Sequence, residues 1–207
     1  MLKNISISNK LVLMVSLPII GLIYFTTTIT LDKLATVNRI NLLQELSTLA
    51  VKSSFLIHEL QKERGISAGF IGSQGNKYSQ ELQVQRNLTD TTIKNLYSTN
   101  FNKSGFSDEM TNNFEVILAG LKVIEIKRNE IDKLEMTMEK EMSYYTNIID
   151  DLLVSINQVS KVITNAKLYN KVVAYVNILQ TKEKAGIERA ILNNAFSQNE
   201  GYVTPTI

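Results

Sequence analysis

Cysteine is absent from the 207-residue chain, which excludes disulfides, thiol nucleophiles and sulfur-ligated metals. Proline occurs only at Pro18 and Pro205, so nothing between them interrupts a helix by removing a backbone donor. The single histidine, His58, has no companion at metal-ligand spacing, and it reads as a packed or surface residue. A net charge of +2 with no run of five basic residues gives no argument for nucleic acid, which is set aside as a partner. Ser53 and Ser54 lack a neighbouring base, and the Gly72-Ser73-Gln74-Gly75-Asn76 turn lacks the lysine and preceding strand of a phosphate loop. No catalytic residues, metal site or cofactor emerge from this pattern, and the chain is not expected to be an enzyme.

What the chain does have is an apolar run. Residues 11 to 31, Leu11 through Leu31, carry no charged side chain, and at about 1.5 Å per residue this run is long enough to cross a hydrocarbon core of about 30 Å. Lys3 and Lys10 precede it, so the positive-inside bias keeps the N-terminus in the cytoplasm and exports the rest of the chain. A cleaved signal peptide competes with this reading, because the most apolar part, Leu11 to Phe25, is shorter. The Thr26-Thr27-Thr28-Ile29-Thr30 segment offers no small-residue cleavage site, which favours an uncleaved anchor. A buried helix of a soluble core is disfavoured by the lack of any polar face. The expected organisation is a cytoplasmic N-terminus (1–10), a transmembrane helix (11–31) and an extracytoplasmic helical region (32–207), placing the protein in the cell membrane.

Beyond Asp32 the apolar positions step by three and four. Leu46, Leu49, Ser53, Leu56, Leu60, Ser67 and Ile71 predict one helix from about 33 to 71, continuous with the span and ended by the Gly72–Asn76 turn. Further helices are predicted over about 77–98, from Ser107 or Asp108 with a break near Gly120 to Ile124, over about 133–163, and over about 166–198. The fold class is therefore all-α. Loops this short predict an antiparallel helical bundle. Residues Asn199 to Ile207 read as a loop cut off in mid-course, so the domain is expected to be incomplete at its C-terminal end.

Arginine is used sparingly: of 22 basic residues, five are arginine, namely Arg39, Arg64, Arg86, Arg128 and Arg189. Arg64 falls in the gap of the inward stripe between Leu60 and Ser67, surrounded by Gly65, Ser67, Ala68, Gly69 and Gly72. Arg189 sits among Ala185, Gly186 and Ala190, in a partial echo of the Leu60–Phe70 segment. A guanidinium offers a planar fork suited to flat oxyanions, and glycine inside a helix needs a packing or clearance reason because it costs about 1 kcal/mol against alanine. Two readings remain open from the residues: an anion site between helices, or pairs with local acids, Glu59 or Glu63 for Arg64 and Glu188 for Arg189.

Taken together, Glu63-Arg64-Gly65-Ile66-Ser67-Ala68-Gly69, Gln85-Arg86 with Thr89-Asp90, Tyr144-Tyr145, and Lys182-Glu183-Lys184-Ala185-Gly186-Ile187-Glu188-Arg189-Ala190 resemble the nitrate- and nitrite-sensing (NIT) domain. Met1-Leu2-Lys3-Asn4-Ile5-Ser6-Ile7 with Lys10-Leu11 is also similar to the start of bacterial methyl-accepting chemotaxis receptors. The resemblance covers about residues 45 to 200. It implies an all-helical sensor that takes nitrate or nitrite through Arg64 and Arg189. Arg86, Gly65, Ser67 and Gly186 would support the site. It also implies further helices and an output domain beyond this chain, and a receptor that pairs as a homodimer. A receptor for another small anion such as a carboxylate, or a coupling bundle without a ligand, are the alternatives.

Overall fold

The computed structural model describes residues 6–98, 106–163 and 166–197, and the expected terminal loop at 199–207 and most of the polar loop at 99–107 lie outside them. The described residues form six helices and no strand: α1 (Ile7–Gly72), α2 (Ser79–Tyr97), α3 (Asp108–Lys122), α4 (Ile124–Asp132), α5 (Met138–Val162) and α6 (Ala166–Ser197). The chain divides into two compact units, Met1–Gln44 and Glu45–Ile207.

In the first unit, large apolar side chains from Leu11 to Leu31 are exposed along the helix. By length and composition α1 is the one described helix apolar enough to cross a membrane. The threonines near the end of the run bond back to the helix through their hydroxyls. Thr27 donates to the Ile23 carbonyl at 2.7 Å, Thr28 to that of Tyr24 at 3.1 Å and Thr30 to that of Thr26 at 2.7 Å. Each hydroxyl is thereby satisfied without water.

The second unit is a bundle around Leu56, Ile57, Leu60, Ile117, Ile131, Tyr145, Ile149, Leu152 and Ile156, all nearly inaccessible. Helix ends fall where the local chemistry dictates. Gln74 (φ 52°), Gly75 (φ 77°) and Tyr78 (φ 71°) carry the left-handed angles of the turn after α1. The Ser107 hydroxyl caps α3 by accepting from the Met110 amide at 3.2 Å. Thr137 caps α5, which starts five residues later than its periodicity suggests because Leu134 turns left-handed at φ 57° and stops the preceding helix. The break between α3 and α4 comes at Val123, as anticipated.

Successive helices run antiparallel. Lys52 meets the Asn95 carbonyl while Glu59 meets Gln85, setting α1 against α2. Glu109 meets Lys161 while Gly120 meets Tyr144, setting α3 against α5. Helices α1 and α6 depart from the simple antiparallel expectation. Ser54 contacts Tyr175, His58 contacts Lys182, and Arg64 contacts Glu183, so residue numbers rise together and the two helices are parallel. The reason is counting: α3 and α4 act as one interrupted rod, α6 is then the fifth pass, and alternation returns it to the direction of α1.

Candidate functional site

The parallel α1–α6 contact brings the two arginine segments of the sequence together. Arg64 is 1% exposed, so its charge has left water and needs a counter-charge. It finds one across the interface. Nη1 donates to Glu183 Oε1 and Nη2 to Oε2 at 3.3 Å, the two-point contact that a planar fork makes with a carboxylate. Nη1 also donates to the Thr146 hydroxyl on α5 at 2.9 Å, and Gln61 Nε2 donates to Glu183 Oε2 at 2.7 Å. Neither acid expected beside Arg64 pairs with it. Glu59 engages Lys62 and Gln85. Glu63, the adjacent residue, points to a different set of helices.

Gly186 explains how α6 comes so near. A Cβ there would lie 3.1 Å from Arg64 Nη2, tighter than ordinary contact, so only glycine leaves the guanidinium its place without adjustment. Gly65 plays a different part, since a Cβ there would meet nothing within 4 Å. It borders a pocket of about 230 Å³ lined by Gln61, Lys62, Gly65, Ile66, Tyr78, Gly186, Arg189 and Ala190. Arg189 is exposed and stands on the wall of this pocket one helical turn beyond Gly186. Arg64 and Arg189 thus flank Gly186 from two sides, one buried and one open to solvent.

The surroundings of Arg64 are unusual for a core. Arg64 Nε, Ser67 Oγ, Gln61 Oε1 and both carboxyl oxygens of Glu141 are buried without a hydrogen-bond partner. Native cores satisfy most such groups, so each exception calls for an explanation such as strain, an ordered water or a bound ion. Glu141 is fully buried on α5, and burial pushes its carboxyl well above the usual range; Arg64 opposes this and Glu63 adds to it. Burial therefore favours its protonated form. On the outer face Lys182 Nζ lies 2.8 Å from His58 Nδ1. Burial, then Lys62 and Arg189, hold the Lys182 ammonium below its ordinary value, and burial with Lys182 and Lys62 does the same for His58. Lys62, Lys182 and Arg189 make this rim electropositive.

Arg86 belongs elsewhere. It pairs with Asp132 at 2.8 Å and donates to the Arg128 carbonyl, within a second buried network. There Arg128 holds Glu63 in a fork, with Nε at 2.7 Å and Nη2 at 2.9 Å, while the Tyr145 hydroxyl donates to Glu63 at 2.8 Å. Arg128 also reaches Asp90 and Glu125, each at 2.6 Å. Burial works against its charge, but Glu63 and Asp90 outweigh burial and raise the guanidinium further. This network ties α1, α2, α4 and α5 and leaves Arg86 with no place beside Arg64. Sequence reasoning does not single out Glu183, Glu141 or Arg128. Glu183 stands in the Lys182–Ala190 segment, but nothing in helical periodicity tells that it faces Arg64.

Among the described helices the first and the last thus meet at a buried arginine, within an all-helical bundle. The chain belongs to the NIT family, nitrate and nitrite sensing, whose model matches residues 56–205. It is 26% identical over 159 residues to a nitrate regulatory protein of Klebsiella oxytoca, covering 76% of this chain and 40% of that protein. The fold is similar to the structure of the NasR transcription antiterminator, with a TM-score of 0.74 and 26% identity over 78% of this chain and 44% of the other. The chain therefore spans about two fifths of the length of each relative.

Proposed function

We propose that this chain is the anchored sensor of a bacterial chemotaxis-type receptor, held in the cell membrane by Leu11–Leu31 with its bundle outside the cytoplasm, and that it binds nitrate or nitrite beside Arg64 and Arg189. One observation carries the site: a fully buried guanidinium in a two-oxygen contact, bordered by orphaned polar atoms and a small pocket on which Arg189 stands. Nitrate and nitrite are planar and singly charged, so they match the fork and replace one carboxylate without changing the buried charge. The pocket of about 230 Å³ holds several waters at about 30 Å³ each, room enough for an anion of three or four heavy atoms. The site is read as binding only, with Gly65, Ser67 and Gly186 providing clearance and contacts and Arg86 bracing the neighbouring network.

Arg64 and the apolar run lie on the same helix, Ile7–Gly72, so a ligand that draws on α6 acts on an element leading toward the membrane. Any shift depends on differential affinity for two states of the bundle. Pairing of two copies along α1 is part of this reading and gives the signal a second subunit to act on. The chemotaxis-type output rests on the resemblance of Met1 to Leu11, whereas the Klebsiella oxytoca protein and NasR are regulators.

Titrating the detergent-solubilised chain with nitrate, nitrite, chloride and acetate by calorimetry tests the proposal. Saturable binding of the nitrogen oxyanions, lost in Arg64→Lys and weakened in Arg189→Ala, is expected. Equal heats for all four salts would sink it. The Arg64–Glu183 pair itself favours a second reading, a coupling bundle in which the ion pair is purely structural. No anion response in the wild-type chain would select that one.

A further inference from the structure

In a site that must admit an anion, the most telling feature is that Arg64 already has one. Glu183 is 3% exposed and its two oxygens occupy both terminal nitrogens of the guanidinium. Gln61 steadies the same carboxylate from α1, and Gly186, one turn along α6, lets the backbone close up behind it. The carboxylate is thus held in the geometry that a flat oxyanion would adopt, at a distance from water that makes a second negative charge on the same arginine unfavourable.

We infer that Glu183 is the resident counter-ion of the site, and that an incoming oxyanion binds by exchanging with it on the Arg64 fork. This rests on the nitrate or nitrite reading for the identity of the natural ligand, but not for the exchange. Three consequences are chemical. Affinity is set by a competition, since the ligand gains only the difference between its own contact and that of a carboxylate delivered within the same fold. Selectivity comes from the displaced group: a planar anion with two oxygens reproduces both contacts, while a halide makes one at a time. Exchange also frees Glu183 from α1, so occupancy of the site and the α1–α6 contact are linked. The freed carboxylate can turn toward the rim, where Lys182 already feels Glu183 together with the Lys62 and Arg189 cations and would gain from it. Asp150 also feels Glu183, which with burial holds its carboxyl above the ordinary range, and it would be relieved when Glu183 moves away.

The test compares the full chain with Glu183→Gln, which keeps the size and hydrogen bonding of the side chain and removes its charge, and with Glu183→Asp, which keeps the charge and shortens the reach. Nitrate, formate and chloride are titrated into each in detergent, with circular dichroism as the check on folding. Exchange predicts at least tenfold tighter nitrate binding to Glu183→Gln, a smaller gain for Glu183→Asp, and a nitrate-induced carboxylate change in the infrared difference spectrum of the wild type that Glu183→Gln lacks. If Glu183→Gln is too unstable to isolate without salt, nitrate raises its melting temperature more than that of the wild type. Wild-type nitrate binding with no gain in a folded Glu183→Gln overturns the exchange and leaves the nitrate reading standing. A folded Glu183→Gln that gains formate and nitrate binding while the wild type binds neither overturns the exchange, because the wild-type carboxylate is then not displaced, and removes nitrate as the natural ligand. No anion binding in any form overturns both.

Discussion

Two guanidinium–carboxylate forks lie within one turn of α1, on Glu63 and Arg64, and they face different helices. Consecutive residues on a helix point about 100° apart, so Glu63 meets Arg128 on α4 and Arg64 meets Glu183 on α6. Each pair is buried, and removing one partner of such a pair costs about 3–5 kcal/mol because the other charge is stranded. Glu141 is the third acid of this region and has no cation bonded to it. Its folded side chain holds a proton more tightly than the unfolded one, so the folded state binds more protons and stability falls as pH rises above the ordinary carboxylate range. Replacing Glu141 by Gln should therefore raise the melting temperature at pH 7 to 8 and flatten its decline between pH 5 and 8. Melts monitored by circular dichroism read this directly; a wild-type midpoint that climbs across the same window would show that Glu141 is ionised. Arg64 itself was legible in the sequence from its place in the apolar stripe. Its partner was not, because Glu183 lies 119 positions away and only the packing of α6 selects it over nearer acids.

Helix boundaries show a similar division. The caps at Ser107 and Thr137 are local chemistry, a hydroxyl accepting from an amide three residues on. Gly69, in contrast, is needed because of a neighbour. A Cβ on it would come within 2.8 Å of the Tyr78 ring, which sits at the head of α2 with a left-handed backbone. Alanine at this position forces the ring aside and opens the α1–α2 turn, at an expected cost of about 1–3 kcal/mol. Alanine at Gly65, where space is open, should cost nothing through sterics and gain slightly in helix propensity. Urea denaturation of the two variants checks the contrast, and equal stabilities would refute it. From sequence both glycines look alike, four residues apart on one helix.

For the chain as a whole, the bundle lies in the second of two compact units, which begins at Glu45, and the apolar run in the first. A run of exposed leucine, isoleucine, valine and phenylalanine is unfavourable in water, and it becomes favourable in lipid. If Leu11 to Leu31 spans a bilayer, lysine at Ile20 costs about 2.5–3.5 kcal/mol of insertion free energy near the helix centre. Membranes from cells expressing the wild type should then retain the chain through alkaline carbonate, and those with Ile20→Lys should release a larger share. Release of the wild type under the same wash would remove the anchor. The alternation of five passes has one further consequence: it makes α1 and α6 parallel neighbours, so the two arginine segments meet in the same register.

Apolar periodicity, two prolines and the absence of a polar face between Leu11 and Leu31 determine an all-helical chain with one membrane-length run, because these are properties of single helices and need no partner. The glycine-flanked arginines mark where something unusual happens for the same reason: a charge on an inward stripe is visible wherever the stripe is. Packing assigned the partners. Glu183 rather than Glu63 neutralises Arg64, Arg128 rather than Arg64 neutralises Glu63, and Glu141 is buried without a bonded cation. Burial makes each of these choices consequential, and burial depends on which helices meet, a fact that exists only once the chain has folded.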